Sequence, residues 1–170
     1  QYTYQDMANV NINQYEMVIT SSVQGGQYNT VQMQNHATFE AYIQSGGVVI
    51  WSGCTQSNET PYPDPPFGGT DLYGGDSNNV VVDPTHDLLV GVANPIYGSS
   101  ASHNYFVNLP QDAEVLARHS QNQNPVLYVL YEGMGMLIAS GHTWEYGWGN
   151  SQDAGIVLAN AVAFGWAFDP

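Results

Sequence analysis

Between residues 16 and 51 an apolar β-rich run, a helix-spaced stretch and a second apolar run follow one another, and this order constrains the fold most. Residues 16–21 (EMVITS) read as a buried strand closed by the turn-forming Gln24-Gly25-Gly26. From residue 30 to 45, Val31, Met33, Ala37, Phe39, Ala41, Tyr42 and Ile43 recur at helical spacing until Gly46-Gly47 supplies a C-cap signal. Residues 48–51 (VVIW) are a second buried strand. Strand, helix and strand make a right-handed βαβ unit, hence a parallel sheet covered on both faces.

Further along, residues 53–79 are dense in Pro, Gly, Asp and Asn and read as one long loop after the C-terminal end of a parallel strand, where α/β proteins place ligands. Residues 80–82, 115–118, 126–131 and 136–140 are expected strands, the last two joined as a hairpin through Glu132-Gly133-Met134-Gly135. Residues 86–92 suggest a helical turn or short helix, and residues 154–166 an amphipathic terminal helix carrying Ile156, Val157, Leu158, Ala161, Val162, Phe164 and Trp166. With 170 residues and no repeat or linker, residues 1–170 form a single domain.

Charge excludes several functions. Fifteen carboxylates face Arg118 alone, with no lysine, for a formal net charge of −14. Phosphate backbones are bound through Lys and Arg, so nucleic acid is not a partner, and P-loop, Schiff-base and arginine-clamp chemistry lack their residues. No apolar run suits membrane insertion. Surface polarity carried by Asn, Gln, Ser, Thr and Tyr, and a first residue that is Gln rather than Met, suggest a processed, exported protein at the cell surface or outside the cell. Cys54 is the single cysteine, so no internal disulfide forms, and Asn58-Glu59-Thr60 is a glycosylation sequon.

Several phrases, in order, resemble the class I glutamine amidotransferase-like superfamily, and within it the trehalose-utilisation-like (ThuA-like) branch. They are Tyr15-Glu16-Met17-Val18-Ile19, residues 39–51 (FEAYIQSGGVVIW), residues 86–92 (HDLLVGV), Gly133-Met134-Gly135-Met136 running to Gly141-His142, and Asn160-Ala161 in the last helix. The resemblance implies a flavodoxin-like three-layer α/β/α fold with a mostly parallel central sheet and a C-terminal antiparallel hairpin. Such domains open with a strand ahead of the one at 16–21, yet residues 1–15 contain no buried apolar run. Either Val10 and Ile12 form a weak strand, or the strand lies upstream, or a neighbouring chain donates it; the last makes self-association by strand addition a candidate partnership.

The resemblance also implies a nucleophilic cysteine on a strand-to-helix elbow, with a histidine and a glutamate downstream. Cys54, His142 and Glu145 keep that order, but Ser52 and Gln56 stand where elbow glycines belong, and His142 and Glu145 are three apart instead of two. The alternative for Cys54 is a small buried residue. His142, Trp144, Glu145 and Trp148 form a candidate rim for a carbohydrate or small polar ligand, against a reading in which they pack the interior. Asp64, Asp71, Asp76 and Asp83, with Asn78 and Asn79, gather oxygen ligands suited to calcium, against a reading as solvated loop. Three functions follow: a non-catalytic extracellular structural, surface or self-assembly module, which the broken elbow favours; a carbohydrate- or small-ligand-binding domain; and a Cys/His hydrolase.

Overall fold

The computed structural model describes residues 5–56 and 59–169. Seven strands form one sheet in the order β1-β2-β7-β6-β5-β3-β4, where β1 is Met17–Ile19, β2 Val48–Ser52, β3 Thr70–Val81, β4 Ile96–Val107, β5 Glu114–Arg118, β6 Pro125–Glu132 and β7 Gly135–Ser140. β1, β2 and β7 run parallel, and β6, β5, β3 and β4 extend the sheet antiparallel. The β6–β7 hairpin closes through Gly133, whose φ of +62° is the left-handed conformation that a two-residue turn needs.

Every residue of β2 is buried, as expected of a strand covered on both faces. Val48 and Ile50 pack with Val157 and Ala161 of the terminal helix α4 (Asp153–Ala167), while Val49 and Trp51 pack with Phe39, Tyr42 and Ile43 of α2 (His36–Gln44). Each of the Val, Ile and Phe side chains among these contributes roughly 1.5–3 kcal/mol by leaving water. The result is the expected flavodoxin-like α/β arrangement of helix, sheet and helix. Trp51 satisfies its indole N–H on the Pro63 carbonyl at 3.0 Å, which seats residues 61–65 over the α2 layer.

Several boundaries differ from the sequence expectation. The helix expected at 30–45 is two helices, α1 (Gly26–Gln34) and α2, separated at Asn35, whose side chain donates to the Val31 carbonyl. The long loop ends at residue 69: residues 70–81 are β3, paired with the unexpected β4. Residues 86–92 hold the helical turn that was one of the two expectations there, the 3-10 turn Asp87–Leu89, with the Leu88 N–H donating to His86 Nδ1.

The opening segment forms 3-10 turns at Met7–Asn9 and Ile12–Gln14. Val10 and Ile12 therefore make no strand; Ile12 is buried against the α2 side of the sheet. No central position stands vacant either, because β2 bonds directly to β7, and β1 is an edge strand among the described residues. The sequon residue Asn58 lies outside the described residues.

Candidate functional site

The C-terminal ends of the three parallel strands converge on a polar, largely buried region. At the end of β1, Thr20 Oγ1 accepts from the Ser52 backbone N–H at 2.8 Å and from Gln32 Nε2 at 3.1 Å, locking β1 to β2 and α1. At the end of β2, Gly53 N–H donates to the Ser140 carbonyl of β7, and the Cys54 carbonyl accepts from Val23 N–H. Past the end of β7, the Gly141 carbonyl accepts from His103 N–H of β4, so the antiparallel half of the sheet supplies the back wall.

Asn104 of β4 is the hub of that wall. Its amide donates to Asp71 Oδ1 at 2.6 Å, and its carbonyl oxygen accepts from Thr55 N–H and Thr55 Oγ1 at 3.0 and 3.1 Å. Asp71 is buried, and burial pushes its carboxyl well above the usual range despite the Asn104 bond, with the Asp64 charge adding to the rise. Its Oδ2 has no hydrogen-bond partner.

Cys54 is where the sequence places it, at the tip of β2, but no helix begins there among the described residues. The side chain is 2% exposed, and burial pushes the thiol up to about 12 against the hydrogen bond from the Val23 backbone. His142 is fully buried and held neutral, its pKa drawn down to about 4 by desolvation. Nδ1 lies 2.7 Å from Ser140 Oγ, while Nε2 has no partner. Glu145 instead accepts from Ser22, at 2.9 Å from the backbone N–H and through a short contact from Oγ. The imidazole therefore hydrogen-bonds neither the thiol nor the carboxylate that the chain order suggests.

The ligand-rim residues separate as well. Trp144 is buried in the α4-side core, Trp148 is exposed, and Glu145 lies between them at the start of α3 (Trp144–Gly149). Glu145 shares a cleft of about 370 Å³ with Ser22, Val23, Gln24, His103, Thr143 and Tyr146. His103 donates from Nδ1 to the Thr55 carbonyl at 2.8 Å, which fixes the ring against the Cys54–Thr55 segment. The sequence singled out neither His103 nor Ser22, and the one signal for Ser22 was its place just after the strand expected at residues 16–21.

The four aspartates do not converge. Asp64 accepts from Asp71 N–H, and Asp76 accepts from Ser120 N–H and Oγ and from Asn79. Asp83 binds Thr85. Among the described residues no three His, Cys, Asp or Glu side chains are placed to hold a metal ion. Asn78 and Asn79 lie within β3, not in a loop.

No family model matches the chain. Its relatives include an uncharacterized protein of Clostridium acetobutylicum, 23% identical over 164 residues; the match takes in 95% of this chain and 17% of that one. Among solved structures, a GMP synthase-like protein of Thermoplasma acidophilum superposes with a TM-score of 0.58 at 10% identity, covering 96% of this chain and 78% of that chain. The fold is amidotransferase-like. The cytoplasmic protein STM3548 of Salmonella typhimurium shares this amidotransferase-like fold at a TM-score of 0.55 and 15% identity, over 96% of this chain and 76% of that one. A β-galactosidase of Rahnella sp. R3 contains it too, at 0.57 and 15%, over 95% of this chain and 24% of its own. The amidotransferase-like fold thus occurs both as most of a chain and as a quarter of one.

Proposed function

We propose that this chain is a non-catalytic extracellular module of the trehalose-utilisation-like (ThuA-like) kind, serving surface attachment or self-assembly. The observation that carries this reading is the state of Cys54. A thiol with a pKa near 12 is ionised on the order of one part in 10⁵ at pH 7, and it has no histidine base. The ordered phrases from Tyr15 to Asn160 support the branch, and the lysine-free, Asn- and Gln-rich composition supports export. The module reading is supported by proportion, since the chain spans 17% of its Clostridium relative.

Iodoacetamide labelling at pH 7.5, read by intact mass in buffer and in urea, tests it alongside ammonia release from glutamine. The native protein is expected to stay unmodified and to release no ammonia, and to be labelled once unfolded. Stoichiometric native labelling with loss of an amidase activity would overturn the reading.

A second reading, ligand binding, is favoured by the cleft of about 370 Å³ at Ser22, His103 and Glu145. Its acceptors suit the hydroxyl donors of a neutral sugar or polyol, and calorimetric titration with neutral oligosaccharides tests it.

A further inference from the structure

The His103 wall of the cleft that Ser22, Glu145 and Tyr146 line continues outside it as a row of rings. His103 packs edge-on against Tyr73 of β3 with 6.5 Å between centroids, and Tyr73 stacks with Tyr62 at 6.4 Å and an interplanar angle of 19°. Tyr146 is 49% exposed and Tyr73 39%, so aromatic surface is open to solvent both in the cleft and beside it. The row is also braced. His103 bonds the Thr55 carbonyl, and the loop carrying Tyr62 is pinned just after it, where the Pro63 carbonyl accepts from the Trp51 indole, the Asp64 carbonyl lies 2.7 Å from His36 Nε2, and Asp64 Oδ1 accepts from Asp71 N–H. Rings held in this way need no ordering when a ligand arrives, which removes one cost of binding.

We propose that the cleft and this row together hold a neutral oligosaccharide, one end in the cleft and the following sugars along His103, Tyr73 and Tyr62, an inference that rests on the ligand-binding reading above. A volume of about 370 Å³ is at the small end of the range of roughly 300–1,000 Å³ for small-molecule sites, so the further units of a chain lie outside it, and the rings adjoin it there. Glu145 is the carboxylate of the cleft. Each of its oxygens accepts one bond from Ser22, and a carboxylate oxygen accepts two, so it keeps lone pairs for donors from a ligand. Sugar hydroxyls supply such donors around the whole ring, while the C–H faces of the ring cover aromatic side chains. A proline-rich peptide, another chain that docks on aromatic surface, brings carbonyl acceptors and few donors, and so leaves the carboxylate unmatched. Charge excludes acidic sugars: Arg118, the single Lys or Arg of the sequence, donates to the Gln123 carbonyl, and a formal net charge of −14 repels an anion.

Calorimetric titration of the chain at up to about 10 mM sugar tests this with glucose, mannose and galactose against maltotriose, cellotriose, mannotriose and galactotriose. At least one trisaccharide is expected to bind about tenfold more tightly than its own monosaccharide. Tyr73→Ala and, in the loop, Tyr62→Ala should each remove about fivefold of that gain, with the monosaccharide Kd and the circular dichroism unchanged, whereas Tyr146→Ala weakens both lengths alike. The same trisaccharide oxidised to its uronic acid should bind at least about tenfold more weakly at low salt. Equal affinity for one sugar and three, or a trisaccharide Kd that ignores both tyrosine variants, overturns the proposal while ligand binding in the cleft stands. Equal binding of the uronic acid overturns the neutral class. If no sugar binds, the proposal and the ligand-binding reading fall together, and binding of a proline decamer in place of the sugars overturns the proposal likewise. Labelling of Cys54 decides the non-catalytic reading separately.

Discussion

The Asn104 side chain donates to Asp71 at 2.6 Å across the β3–β4 pair, and its oxygen holds Thr55 just past Cys54. One amide thereby fixes the back wall of the cleft and bonds a buried carboxyl whose other oxygen has no partner. Asn104→Ala removes the bonds to Asp71 Oδ1, Thr55 N–H and Thr55 Oγ together, and a loss of about 2–4 kcal/mol is expected in urea unfolding at pH 7. A change under about 0.5 kcal/mol would mean that the wall does not depend on it.

Asp71 itself sets a pH dependence. Its folded pKa lies above the unfolded value, so the native state holds the extra proton in the window above 3.8, and stability falls as pH rises through that window. Asp71→Asn keeps the shape without the ionisation. It is expected to stabilise the protein by about 1–2 kcal/mol at pH 7 and to remove that falling slope in Tm against pH.

His142 works in the opposite direction. Held at about 4 when folded, against an ordinary value near 6.5, it binds its proton only in the unfolded chain between those pH values. Stability is full above pH 6.5 and is lost as pH falls toward 4, by about 3 kcal/mol in all. His142→Gln should abolish that loss, measured as the difference in unfolding free energy between about pH 7 and about pH 4.5. An unchanged difference would show that the ring is protonated in the native state.

Gly141 admits no larger residue, because a Cβ there runs into the Asn104 backbone carbonyl, where β4 crosses the end of β7. Both partners are backbone and neither can swing away. Gly141→Ala is expected to cost about 3 kcal/mol in chemical denaturation, far more than alanine in an ordinary extended position.

Glu145 holds the segment after β1 by two bonds to Ser22 from its place on α3. Glu145→Gln keeps the packing and weakens the acceptor, so the Ser22 and Val23 amides should exchange with deuterium several-fold faster while the β7 core stays protected. Uniform acceleration across the chain would instead indicate global destabilisation.

Hydrophobic runs were what the sequence could show. Residues 48–51 and 136–140 are strands that burial alone identifies, and the 132–135 hairpin follows from its glycine. β4 escaped notice because YGSSASHNYFV has too few apolar residues to alternate visibly; it is a strand because β3 pairs with it along most of its length. The terminal helix was legible as a helix, but Ile156, Val162 and Trp166, which belong to its apolar set, face outward instead of inward.

By itself the sequence determined the βαβ opening, the terminal helix and the absence of any cationic chemistry, since these depend on local periodicity and composition. Tertiary structure alone decided that β2 adjoins β7, that His103 and Glu145 share a cleft, and that His142 meets Ser140 instead of Cys54. The physical reason is that a polar side chain's role depends on which distant donors and acceptors burial brings within about 3 Å, and nothing in its sequence neighbourhood specifies them.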